Sequence, residues 1–137
     1  MKKNKVLILI TSVLIFVAIF VGSAYAADDT VNDIIIKRGE KNDREYLFKA
    51  VNSFDNKGEY DGDFVGVAVR FSNYGVLDGN AVLLATSITN EGTITGDLIA
   101  YGKSFYLNKA NIYGNVYAFS YDFFTDDETV INSDAVI

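Results

Sequence analysis

Between Glu45 and Thr125, apolar residues alternate with polar or small ones in short runs that restart every seventeen or eighteen positions. Alternation at period two is the signal of a strand with one buried face. Gly62, Gly79, Gly96 and Gly114 mark the restarts, at spacings of 17, 17 and 18 residues. Two residues before them stand Tyr60, Leu77, Ile94 and Ile112, and two after them Phe64, Ala81, Leu98 and Val116. Nine after them come Phe71, Ile88, Phe105 and Phe123, with Phe54 one period earlier. Asn56, Asn73 and Asn90 form a further column, which Leu107 breaks. A second glycine lies four residues upstream in three copies (Gly58, Gly75 and Gly92), and Ala110 falls close to that place in the fourth. Self-similarity at this period predicts an all-β solenoid, one coil per repeat. Like residues stacked at the interstrand spacing of about 4.8 Å then form continuous apolar columns inside the tube. Glycine suits the corners because it accepts positive φ, and asparagine because it tolerates the left-handed region and bonds its own backbone.

The same pattern divides the chain. Ile34, Ile35 and Ile36 read as a first short strand, ended by Lys37-Arg38-Gly39. Residues 40–56 read as a degenerate coil in which Glu45 replaces the corner glycine, and residues 57–125 as four clearer ones. A further coil begins with Thr129-Val130-Ile131 and Asp134-Ala135-Val136-Ile137. End coils normally carry a polar cap, and Ile137 is a poor one. The expectation is that further chain or another copy covers this end. Ahead of the solenoid, Lys2, Lys3 and Lys5 precede an apolar run from Val6 to Val21, then Gly22-Ser23-Ala24-Tyr25-Ala26. This is the layout of a signal peptide over residues 1–26, with Ala24 and Ala26 framing cleavage. An uncleaved anchor is the alternative, since a span takes about 20 residues. Either reading places residues 27–137 outside the cytoplasmic membrane, secreted or held at the envelope through residues 1–26.

Composition narrows the chemistry. Without the three leader lysines, residues 27–137 carry nine basic and eighteen acidic side chains, a net charge of −9. Such a surface disfavours nucleic acid and anionic lipid headgroups as partners. The absence of His and Cys excludes imidazole triads, thiol nucleophiles, disulfides and common zinc sites. Asp61, Asp63, Asp78 and Asp97 lie near stacked corners, where an acidic calcium stripe and ordinary solvated corners are both compatible with the pattern. No phosphate-binding or dinucleotide fingerprint occurs, and no cofactor is expected. Tyr101, Tyr106, Tyr113, Tyr117 and Tyr121 cluster in the last full coils, several at outward positions. Aromatic faces stack on sugars or build interfaces, and tyrosine is also simply favoured in strands.

The segment Gly92-Thr93-Ile94-Thr95-Gly96-Asp97-Leu98-Ile99-Ala100, followed by Asn111-Ile112-Tyr113-Gly114-Asn115-Val116-Tyr117-Ala118, resembles the repeat of bactofilins, the bacterial polymer-forming cytoskeletal proteins. Asp33 to Glu40 also resembles the first strand of exported, signal-bearing relatives of that group. The resemblance covers roughly residues 33–137. It implies a right-handed parallel β-helix that polymerises end to end without nucleotide and serves as a non-enzymatic scaffold. The corner glycine is lost at Glu45 and Ser133, and the leader moves the chain out of the cytoplasm. The resulting expectation is a self-assembling structural protein at the cell envelope, with envelope proteins or wall glycans as further partners. Its assembly surfaces would be Ile34–Ile36 at one end and Val130, Ile131, Val136 and Ile137 at the other. The alternative is a solenoid adhesin or glycan-binding module that uses a tyrosine-rich face.

Overall fold

The computed structural model describes residues 33–137; the leader, with Ala24 and Ala26, lies outside the described residues. Among the described residues thirteen strands follow in chain order: β1 (Ile34–Ile36), β2 (Lys41–Asn42), β3 (Tyr46–Asn56), β4 (Glu59–Asp61), β5 (Phe64–Asn73), β6 (Val76–Asp78), β7 (Ala81–Asn90), β8 (Thr93–Ile94), β9 (Leu98–Leu107), β10 (Asn111–Ile112), β11 (Val116–Thr125), β12 (Val130–Ile131) and β13 (Ala135–Val136). The odd strands stack in order as one parallel sheet and the even strands as another. Each coil therefore contributes one strand to each sheet, and the chain is a parallel β-solenoid.

The long strands turn a corner of their own. In β5, Phe64, Gly66 and Ala68 point inward, Val69 and Arg70 both point outward, and Phe71 and Asn73 point inward again. This slip in the alternation falls where the pairing with β7 skips Val69. The tube thus has three sides: the first halves of the long strands, their second halves, and the short strands.

The core is the set of columns expected from the repeat. Tyr60, Leu77, Ile94 and Ile112 are fully buried in register on the third side. Phe54 and Phe71 stack with ring centroids 4.8 Å apart, and Phe105 and Phe123 at 5.3 Å. Full burial of one such side chain contributes about 1.5–3 kcal/mol. The asparagine column is buried as well. Asn56 Nδ2 donates to Asn73 Oδ1, and Asn73 Nδ2 to Asn90 Oδ1, each at 2.8 Å. The same groups donate to the carbonyls of Val76 and Thr93, so the ladder ties the second side to the third.

A second ladder runs up the corner after the glycines. Asp63 Oδ1 accepts from the Asn80 amide, Asn80 Oδ1 from the Asp97 amide, and Asp97 Oδ1 from the Asn115 amide, at 2.7–2.8 Å. Acid and amide alternate, so the Nδ2 groups of Asn80 and Asn115 also donate to the carboxylates of Asp63 and Asp97. Four stacked aspartates would repel instead.

The glycines are required mainly for close approach rather than for positive φ. Gly62 and Gly79 do adopt positive φ, at 144° and 157°. Gly75, by contrast, lies so close to the preceding coil that a Cβ would collide with the carbonyl oxygen of Gly58. Between β3 and β11, two coils hold an extra residue. Tyr46 pairs with Phe64 while Phe54 pairs with Phe71, and the difference is absorbed at Phe48, between Leu47 and Lys49. The residue in register with Gly62 is therefore Arg44, not Glu45. Later, Lys109 takes φ 53° in the turn after Leu107, where the asparagine ladder has ended.

Candidate assembly surfaces

The two ends of the solenoid are built differently. At the N-terminal end, β1 lies over only Phe54, Asp55 and Asn56 of β3. Ile34 and Ile36 are buried and continue the interior phenylalanine and asparagine columns, while Ile35 is 59% exposed on the outside. The carboxylate of Asp33 accepts from the Ser53 amide and from Asn52 Nδ2, each at 3.1 Å. The bonds from Ser53 and Asn52 hold its carboxyl below the usual aspartate value. Among the described residues, no strand covers Tyr46–Ser53 on this side. Nearby, Lys41 Nζ meets Glu59 at 2.8 Å and Asp61 at 3.3 Å.

At the C-terminal end, β13 pairs only with Val116 and Tyr117 of β11. Among the described residues, the outer edge of Ala118–Thr125 has no strand against it. Phe123, the last ring of its column, is only partly buried, and the Ser120 hydroxyl is buried without a hydrogen-bond partner. Ile131 packs partly against the core, whereas Val130, Val136 and Ile137 are exposed. The turn leading into this coil is fixed by Asp126. Its carboxylate accepts from Thr129 Oγ1 at 2.6 Å and from the Lys109 amide at 3.0 Å. These bonds, that of Thr129 foremost, lower its pKa.

The structure gathers the sequence-selected end residues into two separate ends and splits each set. Ile34 and Ile36 are core, and Ile35 is surface. The aspartates separate into two columns: Asp63 and Asp97 bind backbone amides at one corner, while Asp61 and Asp78 stand in register on the third side. Thr95 Oγ1 donates to Asp78 at 2.7 Å. The tyrosines do not share a face. Tyr101 and Tyr117 belong to the first side, Tyr121 stands at the corner after it, Tyr106 stacks on Phe124 at 5.1 Å on the second, and Tyr113 follows β10 on the third.

Sequence reasoning centred on the inward columns and passed over the outward ones of the first side. Val65, Val82, Ile99 and Tyr117 form one such column, and Val67, Leu84, Tyr101 and Phe119 another. The readable signal was that Phe64–Ala68, Ala81–Ala85, Leu98–Tyr101 and Val116–Phe119 lack polar residues altogether, as strands covered on both faces do. Comparisons with models of known protein families, with curated proteins and with solved structures find no match.

Proposed function

We propose that this protein is a non-enzymatic, self-assembling structural element of the bacterial envelope, built by end-to-end stacking of solenoids as in the bactofilins its repeat resembles. The observation that carries this reading is the fit between the two ends. At one end β1 fills the strand layer over Phe54–Asn56; at the other, β13 fills it over Val116 and Tyr117. Phe54–Asn56 are in register, coil by coil, with Phe123–Thr125. The β1 of a second copy therefore has a vacant edge at Phe123–Thr125, beside β13 and not on top of it. Ile34 of the incoming copy would continue the phenylalanine column and bury the open face of Phe123. Main-chain bonds along the free edge add to that burial.

Export through residues 1–26 belongs to the same proposal and rests on the leader sequence. The test is electron microscopy and sedimentation of the chain as recovered from producing cells, beside a variant carrying Val136→Lys and Ile137→Lys. Filaments or end-to-end dimers that shorten or vanish in the folded variant support the reading. A monodisperse species of identical size in both samples overturns assembly through that end.

A further inference from the structure

The first side of the tube carries two outward apolar columns, and their side chains change size along the axis. In register from β3 to β11 the inner of the two reads Ala50, Val67, Leu84, Tyr101, Phe119. The other reads Leu47, Val65, Val82, Ile99, Tyr117. The first thus thickens steadily from a methyl group to an aromatic ring. No acid stands in either column, although the chain as a whole is strongly acidic. A groove runs over this side, with Val67, Leu84, Tyr101 and Phe119 among its lining residues.

We infer that this side is a lateral interface with a second copy of the same chain, packed antiparallel about a two-fold axis lying along β7. Three arguments select that occupant. About this axis five strands overlap, and at about 4.8 Å spacing with about five residues at 3.3 Å each they give on the order of 400 Å², so two copies bury roughly 800 Å². That is the size of a weak, reversible contact between copies. Secondly, a wedge pairs evenly only with its own reverse. The two-fold sets Ala50 against Phe119 of the second copy, Val67 against Tyr101, and Leu84 against Leu84, so that each layer has a similar total volume. The other column follows the same rule, with Leu47 against Tyr117 and Val65 against Ile99. A parallel pair would instead crowd ring on ring at one end and leave a gap at the other, which close packing disfavours. Thirdly, the lack of carboxylates lets two acidic copies meet here without opposing like charges at contact distance.

This interface is independent of end-to-end stacking, which uses other edges of the tube. Because the chain has no cysteine, single substitutions report on it directly. In the full chain in producing cells, Leu84→Cys should be joined as a dimer by a short bifunctional thiol reagent spanning about 6–8 Å, since the axis sets that residue against itself across facing sheets about 10 Å apart, too far for a direct disulfide. Val67→Cys alone should not, because it stands opposite Tyr101 and its own counterpart lies two strands along and one sheet spacing across, about 14 Å away. The double variant Val67→Cys with Tyr101→Cys should restore the cross-link. Strong cross-linking of Leu84→Cys with none for Val67→Cys supports the proposal. Equal cross-linking of both overturns the antiparallel arrangement, and the absence of any cross-link overturns the interface. Filaments that persist without cross-links separate this failure from failure of the end-to-end reading.

Discussion

Asn73 shows how much of this fold rests on single polar side chains held in the dark. Its carboxamide receives a bond from Asn56 and gives bonds to Asn90 and to the Thr93 carbonyl. Asn90, the last member, receives one from Asn73 and donates only to Gly92, at 3.3 Å. Leu107 already occupies the next place in the column. Asn90→Leu should therefore cost about 1–2 kcal/mol, while Asn73→Leu, which leaves buried partners on both sides, should cost about 2–4 kcal/mol. Urea unfolding of the two variants checks the order. Tyr60 supplies a second residue-scale prediction. It is fully buried, accepts from the Tyr46 amide at 3.1 Å and donates to the Asp63 carbonyl at 2.8 Å. Burial pushes its phenol up to about 12. An unfolded tyrosine titrates near pH 10, so the unfolded state ionises first as pH rises. The stability Tyr60 contributes is complete below about pH 10 and declines from there through about pH 12, by roughly 2–3 kcal/mol in all. Tyr60→Phe should lower stability at pH 8 but flatten its fall between pH 10 and 11.5; an unchanged slope would show that other groups govern alkaline unfolding.

At the scale of the strand and turn, what could be read from the sequence followed from repetition. Columns that recur at 17 residues, such as Phe54-Phe71-Ile88-Phe105, identified register without any contact information, because stacking places like positions together. Register was misread only where a coil gained a residue. The insertion at Phe48 moved the first corner from Glu45 to Arg44, and spacing alone does not reveal which position bulges. The glycines were legible as corners, but their physical cause at Gly75 is contact with the neighbouring coil, which depends on three-dimensional stacking. The assembly surfaces were harder to read, since an apolar residue near a chain end can enter the core, as Ile34 and Ile36 do, or face out, as Ile35 does. The insertion at Lys109 yields a test. A non-glycine residue at φ 53° carries a penalty of about 1 kcal/mol, and its ion pair with Glu128, at 3.4 Å between exposed groups, offsets little of that. Lys109→Gly should raise stability by up to about 0.5 kcal/mol once the added freedom of the unfolded chain is subtracted, and a thermal melt reads it out.

For the molecule as a whole, a solenoid distributes stability by position, because each coil touches only its neighbours. The coils built on β5, β7 and β9 have a complete long strand on either side, whereas β3 and β11 have one on a single side among the described residues. Opening should therefore begin at the ends, with the middle coils approaching the global unfolding free energy. Amide hydrogen exchange makes this profile visible and also connects it to assembly. In dilute protein, Ala118–Thr125 should exchange much faster than Ala81–Asn90. Raising the concentration seats the β1 of a second copy on the free edge, so protection within Phe123–Thr125 should grow by tenfold or more, while that of Ala81–Asn90 stays constant. Association protects only the element it covers, and mass action sets the degree of cover. Lateral pairing would leave a different mark. Side chains of Leu84 and Tyr101 would be shielded from solvent labelling, but the backbone of β7, already bonded to strands on both sides, would exchange as before. A concentration-dependent gain confined to the end coil would therefore identify stacking through the ends, and equal exchange of Phe123–Thr125 at all concentrations would rule it out.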